Sequence, residues 1–256
     1  MQKLISEIKR LYLMDGQRYR EHDDAAPMPL STSVFEQHLL GVRAISLELV
    51  TEQGLTRALV LDFDAADAGK GEQHWRDLCV VANALQEQLK LPAPAVSITG
   101  RSGYALWLSL AEPVPAADAR EFLHLLRKTC LPESPMRIDD QPRRWAEPPP
   151  CRQANGKWAA FIHPSMGASF AEDPGLEMAP PISAQVGFLE GLSSITPAQF
   201  AQALRILRPD QEPVPAPVAP VAAGLLLRDA TIEDIVKYLH SKNIEPTFRH
   251  IKADDR

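Results

Sequence analysis

The sequence predicts a mixed α/β (α+β) protein, and three features carry that prediction. Two segments with strand-like apolar patterning, residues 42–64 and 95–110, each lead into a segment with helical periodicity. Each β-segment is interrupted by a glycine-containing turn, at Gly54 and at Gly103. No apolar run reaches the roughly 18 residues of a membrane helix, so the apolar segments must bury against one another.

Taken in order, Leu4, Ile5, Ile8 and Leu11 fall at helical spacing and predict a first helix from Leu4 to Leu13. A polar loop, EHDDAAPMPLSTS, separates it from VFEQHLLG, a short helix that Gly41 ends. Ile45, Leu47 and Leu49 then alternate as in a strand. After the Gly54 turn a continuous apolar run from Ala58 to Leu61 ends in Asp62-Phe63-Asp64. Trp75, Leu78, Cys79, Ala82, Leu85 and Leu89 share one face of the next helix, which Pro92 and Pro94 stop. AVSITG, RSGY and ALWLSL read as a hairpin, and a helix follows from near Pro115 with Phe122, Leu123, Leu125 and Leu126 apolar. Residues 132–181 are dense in proline, and WAAFIHP is the clearest strand there. Thr196, Pro197 and Gln199 make a helix start, with a capping threonine, a proline in the first turn and a glutamine placed for a capping box; the helix runs to about Leu207.

Three divisions follow: a main domain over residues 1–208, a Pro/Ala-rich linker over 209–224, and a helical tail over 225–256. Pro-rich chain favours extended polyproline II and builds no core. In the tail Thr231 caps a helix with Ile232, Ile235, Val236 and Leu239 on one face. A segment that small is not stable alone, so docking on the main domain or on a protein partner is expected.

Hydrophobic residues make up 45% and charged residues 23% of the 256 residues, an ordinary globular balance. The formal net charge of −6 argues against tight nonspecific DNA binding by the whole surface, although basic patches such as Arg143-Arg144 and Arg152 are compatible with that total. Cys79, Cys130 and Cys151 form no CxxC pair, so neither a zinc site nor a disulfide framework is indicated. The N-terminus is mixed-charge rather than a secretion signal, and a cytoplasmic protein with reduced thiols and no membrane association is expected.

Asp62 and Asp64 are the sharpest chemical signal. A strand places residues i and i+2 on one face, so two carboxylates meet at its end. Such a pair is relieved by a cation, and hard divalent ions such as Mg²⁺ take oxygen ligands of this kind. Two solvated aspartates at a strand end remain the other reading. Asp139-Asp140, after Ile138, supplies a third carboxylate if that segment returns to the site; otherwise it is a polar turn before Pro142. Arg101-Ser102-Gly103 at a turn suits a phosphate through backbone N–H groups, a hydroxyl and a guanidinium, against the plainer reading of a solvated hairpin. His38 on an apolar helix reads as a packed histidine, His163 precedes Pro164 at a strand end, and neither has a metal-ligand partner at a usual spacing. Trp107, Trp145 and Trp158 can stack on bases, with core packing the commoner role.

In order and spacing, HLLG at 38–41, LVLDFD at 59–64, SGYALW at 102–107, AEPVP at 111–115 and RIDDQP at 137–142 resemble the archaeo-eukaryotic primase superfamily, most of all the primase-polymerase domains of bacterial mobile and conflict elements. The resemblance covers about residues 35–140 and continues weakly through WAAFIHP and FLEGLSSI. It implies a catalytic module with an RRM-like antiparallel sheet flanked by helices. It also implies that Asp62, Asp64 and either Asp139 or Asp140 bind Mg²⁺ or Mn²⁺, with Ser102 near the nucleotide phosphates. The second motif is degraded: Ala105 stands where a histidine before x-Trp is expected. Arg101 or Tyr104 is the candidate to replace that contact.

The expected function is therefore a metal-dependent nucleotidyltransferase that joins nucleoside triphosphates on a single-stranded DNA template. Asp62, Asp64 and Asp139 (or Asp140) would serve the metals, and Arg101, Ser102 and Arg143 the phosphates. The alternative is an inactive primase-fold module that binds nucleic acid or nucleotide in mobile-element replication. An unrelated α/β domain with a coincidental DFD string is the third possibility.

Overall fold

In a computed structural model, residues 1–63, 71–132 and 142–208 are described. The linker and tail expected over 209–224 and 225–256 lie outside the described residues, as do Asp64, Asp139 and Asp140.

The elements run α1 (Gln2–Tyr12), β1 (Arg18–Arg20), β2 (Met28–Pro29), α2 (Thr32–Leu39), β3 (Ser46–Glu48) and β4 (Leu55–Phe63). Then come α3 (Gly71–Asn83), β5 (Ala95–Ile98), β6 (Tyr104–Pro115), α4 (Ala116–Cys130), β7 (Trp145–Ala146), β8 (Cys151–Arg152) and β9 (Trp158–Ile162). A 3₁₀ segment at Pro164–Phe170, α5 (Ile182–Glu190) and α6 (Pro197–Leu207) complete the described chain. Two antiparallel sheets result, a larger one ordered β4-β6-β5-β9-β8 and a smaller one ordered β2-β1-β3-β7.

The larger sheet is covered on both faces, and strand alternation decides what each face meets. Leu59, Leu61 and Phe63 of β4 join Leu106 and Leu108 of β6 in one core, against Leu78 of α3, Phe122 of α4 and Phe200 of α6. Ala58 and Val60 face the other way with Trp107 and Phe161, against Leu4, Ile8 and Leu11 of α1 and Leu189 of α5. Leu59 and Phe63 are fully buried, and each such side chain contributes about 1.5–3 kcal/mol by leaving water.

Several expectations hold. The first helix, the Gly41 stop, the 95–110 hairpin, the WAAFIHP strand and α6 are all present, the last with its Thr196–Gln199 capping box formed. Three features differ. The segments on either side of Gly54 do not pair as neighbours in one sheet: β3 enters the smaller sheet and β4 the larger, joined by an isolated bridge at Val50–Thr56. β6 continues through Glu112, Pro113 and Val114 before α4 starts, because Thr56 and Leu55 of β4 pair with Val114 and Pro115 at the sheet edge. The buried stripe of α3 is centred on His74, Asp77, Leu78 and Val81, so Cys79 and Ala82 lie only on its flank. Among the described residues no helix is long and apolar enough to cross a membrane.

His38 shows how the smaller sheet is tied in. Its Nδ1 accepts from the Ile45 N–H at 3.1 Å, which leaves Nε2–H to donate to the Pro148 carbonyl at 2.9 Å. One buried ring thus links α2, the entry to β3 and the chain after β7, the packed role expected for this histidine. Burial lowers its pKa below the ordinary 6.5. The unfolded chain therefore takes up the proton first, and the stability held by neutral His38 is complete above about pH 6.5 and is lost as pH falls toward the lower folded-state value. A His38→Phe variant is expected to be less stable by about 1–3 kcal/mol at pH 8, since it strands two buried backbone groups. It is also expected to lose less further stability than wild type on going to about pH 5.5. Urea unfolding at the two pH values measures both; parallel losses in the two proteins would exclude a titrating His38.

Candidate active site

The register of the larger sheet places Asp62 opposite Ala105, and Ala105 opposite Ser97. These three residues form a row across β4, β6 and β5, and the row lies on the floor of a cleft of about 370 Å³. The smaller sheet supplies the opposite wall through Arg20, Ser46 and Trp145. Thr99 and Arg101 enter from the β5–β6 turn, and Arg143, Glu147 and Gln153 from the chain around β7 and β8.

Asp62 is the last-but-one residue of β4, and its side chain keeps 26% of its surface exposed, enough for a charged group to reach solvent and ligands. It forms an ion pair with Arg143. An Arg–carboxylate pair at a cleft wall holds both groups in place while leaving part of the guanidinium fork open to an anion. Arg20 lies over the Trp145 ring, 4.6 Å from its centroid, and is paired with Asp23. Arg101 is bound to Glu147 at 2.8 Å. Among the described residues three arginines thus line one cleft in a chain of net charge −6, each beside a carboxylate.

Of the site residues expected from sequence, Asp62, Arg101 and Arg143 come together in the cleft. Ser102 is exposed at the tip of the β5–β6 turn and is not among the residues lining the cleft. Asp64, Asp139 and Asp140 lie outside the described residues. Among the described residues no group of three His, Cys, Asp or Glu side chains could hold a metal ion. The turn itself is closed internally: Thr99 Oγ1 accepts from the Arg101 N–H at 3.3 Å and the Gly103 N–H at 3.2 Å, so those backbone donors face the threonine.

Tyr104 and Arg101, the two residues expected from sequence to compensate for Ala105, are separated by the sheet. Tyr104 is adjacent to Ala105 in β6 and so points to the opposite face, where it is fully buried and its hydroxyl donates to the Gly167 carbonyl at 2.9 Å. Burial raises its pKa to about 12, so the phenol stays neutral and offers the cleft nothing. Arg101 is the one that reaches the cleft. His163 caps the 3₁₀ segment through Nδ1, which accepts from the Ser165 N–H. Of the tryptophans, Trp158 is packed against Gly41, and Trp107 is buried with its indole N–H on Ser97 at 3.1 Å. Trp145 is the partly exposed one at the cleft wall.

Arg20, Glu147 and Gln153 were not singled out by the sequence. Each sits in a segment without a motif and reaches the cleft through tertiary placement, as Arg20 does by pairing opposite Ser46.

Several solved structures resemble the chain, two of them as follows. The AEP domain of the cyanophage S-2L primase-polymerase shares 14% identity over 73% of this chain and 97% of its own, with a TM-score of 0.41. The polymerase domain of Mycobacterium tuberculosis ligase D, solved in complex with DNA, shares 15% identity over 67% of this chain and 69% of its own, with a TM-score of 0.46. No curated protein matches the chain. The family described as "TOTE conflict system, Archaeo-Eukaryotic Primase domain" matches residues 10–141, just over half of the sequence and the stretch that builds the floor of the cleft. This chain belongs to the archaeo-eukaryotic primase domain family of TOTE conflict systems.

Proposed function

We propose that this primase-type module is a metal-dependent nucleotidyltransferase that joins nucleoside triphosphates on a single-stranded DNA template. One observation carries the reading: Asp62, Arg101 and Arg143, three residues distant in sequence, converge on one cleft between the two sheets. A carboxylate and two guanidiniums are the groups that a metal-bound triphosphate requires on its two sides.

The donor chemistry fits Mg²⁺ or Mn²⁺. Asp62 offers hard carboxylate oxygens at the cleft, and Asp64 with Asp139 or Asp140 are the proposed further ligands. When bound, such ions lower the pKa of a 3′-hydroxyl and offset charge on the α-phosphate. The chain's own residues bind and orient. Arg101 and Arg143 hold phosphate oxygens, with Ser102 at the turn as a further contact, and Asp62 anchors Arg143 until an anion competes for it. Trp145, backed by Arg20, presents an aromatic surface at the wall where a base can stack. The tail over 225–256 is the proposed protein-docking segment, and a cytoplasmic setting suits thiols that are all free among the described residues.

A second reading is favoured by one specific residue. Ala105 occupies the middle of the floor row, directly opposite Asp62, and offers neither donor nor charge. That suits a module that binds nucleotide or nucleic acid without catalysis, in the replication of a mobile element.

Nucleotide incorporation on primed and unprimed single-stranded DNA, with Mn²⁺ and Mg²⁺ compared, decides between them. Incorporation is expected in the wild type and is expected to vanish in Asp62→Asn; an Asp62→Asn protein of full activity rules out this site. Binding without incorporation supports the second reading. Ala105→His is expected to raise the rate by up to about 10²-fold, the scale of one preorganised donor to transition-state charge. A rate that falls instead would show that the cleft has repacked around alanine.

A further inference from the structure

Arg101 is fixed before any ligand arrives. Gly100 adopts φ +71°, and a Cβ there would lie 2.8 Å from the Ala159 backbone nitrogen and 2.8 Å from Gln153 Cγ. Only glycine lets the β5–β6 turn lie this close to the β8–β9 hairpin. The hairpin in turn closes on the Gln153 N–H to the Lys157 carbonyl at 2.8 Å, and Asn155 donates to the Gly100 carbonyl at 2.9 Å. This close approach puts the Arg101 side chain against Gln153, whose side-chain oxygen accepts from Nε. The same guanidinium donates to Glu147 at 2.8 Å. Gln153 completes the triangle by donating to Glu147 at 3.2 Å and to Cys151 Sγ at 3.1 Å.

Gln153 is 7% exposed, whereas the Arg101 side chain retains 59% of its surface. The buried amide is the fixed member and the arginine the presented one. A guanidinium carries five N–H donors, and these two contacts occupy only part of that set. An arginine already held in one geometry loses less freedom when it binds an anion than a solvated one does. We propose that Gln153, braced by Glu147, is the positioning residue that aims Arg101 at the phosphates of the incoming nucleoside triphosphate. The inference rests on the nucleotidyltransferase reading and names the support for its phosphate contact on the side of the cleft where Ala105 supplies none.

The test is ATP binding to the full chain, followed by calorimetry, in a double-mutant cycle. Gln153→Leu is expected to weaken ATP binding about tenfold, the scale of one hydrogen bond to a charged group. Arg101→Ala weakens it further, and the Arg101→Ala/Gln153→Leu protein binds no worse than Arg101→Ala alone, because the amide acts only through the arginine. The exchange pair Gln153→Glu/Glu147→Gln keeps an oxygen on Nε and the net charge, and is expected to restore most of the affinity. If Gln153→Leu does not fold, Gln153→Asn, whose amide is one methylene shorter, replaces it in the cycle. Additive losses, or unchanged affinity in the single variant, overturn the proposal. A wild-type chain that binds no ATP overturns the nucleotidyltransferase reading itself, and this inference with it.

Discussion

The register of β6 between β4 and β5 is the constraint from which the cleft follows. All three strands are antiparallel, so a single pairing scheme fixes which residues stand side by side and which face each points to. Leu61–Leu106–Val96 falls in one row and Asp62–Ala105–Ser97 in the next. A slip of one residue would turn Leu61 and Phe63 toward the cleft and Asp62 into the apolar core, so the burial of the helix-covered face enforces the register of the polar one. The site is specified by residues that never touch it. Phe122 and Phe200, with ring centroids 5.3 Å apart, pack in the core that takes Leu61 and Phe63 on either side of Asp62.

Charge in the cleft is arranged by pairing. Arg143 with Asp62, Arg101 with Glu147, and Arg20 with Asp23 bring cation and carboxylate together around one cleft. Exposed ion pairs of this kind add little stability, with a median near 0–1 kcal/mol. Their larger effect is geometric, since a guanidinium that already has one carboxylate partner presents its remaining donors in a defined direction. An anion entering such a cleft meets oriented donors instead of solvated side chains. The whole-chain charge of −6 therefore says little about the local field that a triphosphate or a phosphate backbone would meet.

The sequence made legible what local chemistry determines. Leu59 to Leu61 announced a strand because a sheet covered on both faces leaves no polar alternation, and Thr196-Pro197-Ala198-Gln199 announced a helix because capping is a matter of four residues. Asp62 was legible as the polar end of that strand. What could not be read was partnership at long range. The segments flanking Gly54 read as two strands about a turn, yet β3 leaves for the second sheet, a choice made by Tyr19 and Ala146 on either side of Leu47. Arg20, Glu147 and Gln153 belong to short strands and proline-rich connections whose conformation is set by tertiary contacts, and no periodicity marks them. Tyr104 was an apt substitute for the histidine by residue type, but its position, odd or even along β6, sends it to the wrong face.

Ala105 ties these points together. A histidine there would stand on the floor between Asp62 and Ser97, with Trp107 two residues along on the same face. Ser97 is 1% exposed and its Oγ accepts from the Trp107 indole N–H, so the strand beside Ala105 offers a short neutral hydroxyl and no cation. A cationic contact must come from outside this row of the sheet, and the β5–β6 turn is the connection that begins within the same two strands. Packed on the β8–β9 hairpin through Gly100, that turn delivers Arg101 to the cleft carrying a permanent charge, where a histidine's charge would depend on pH. The arrangement presents a long donor, held by its neighbours, beside a floor where Ala105 offers none. The hydrogen bonds around Arg101 therefore set the direction in which its guanidinium meets the cleft.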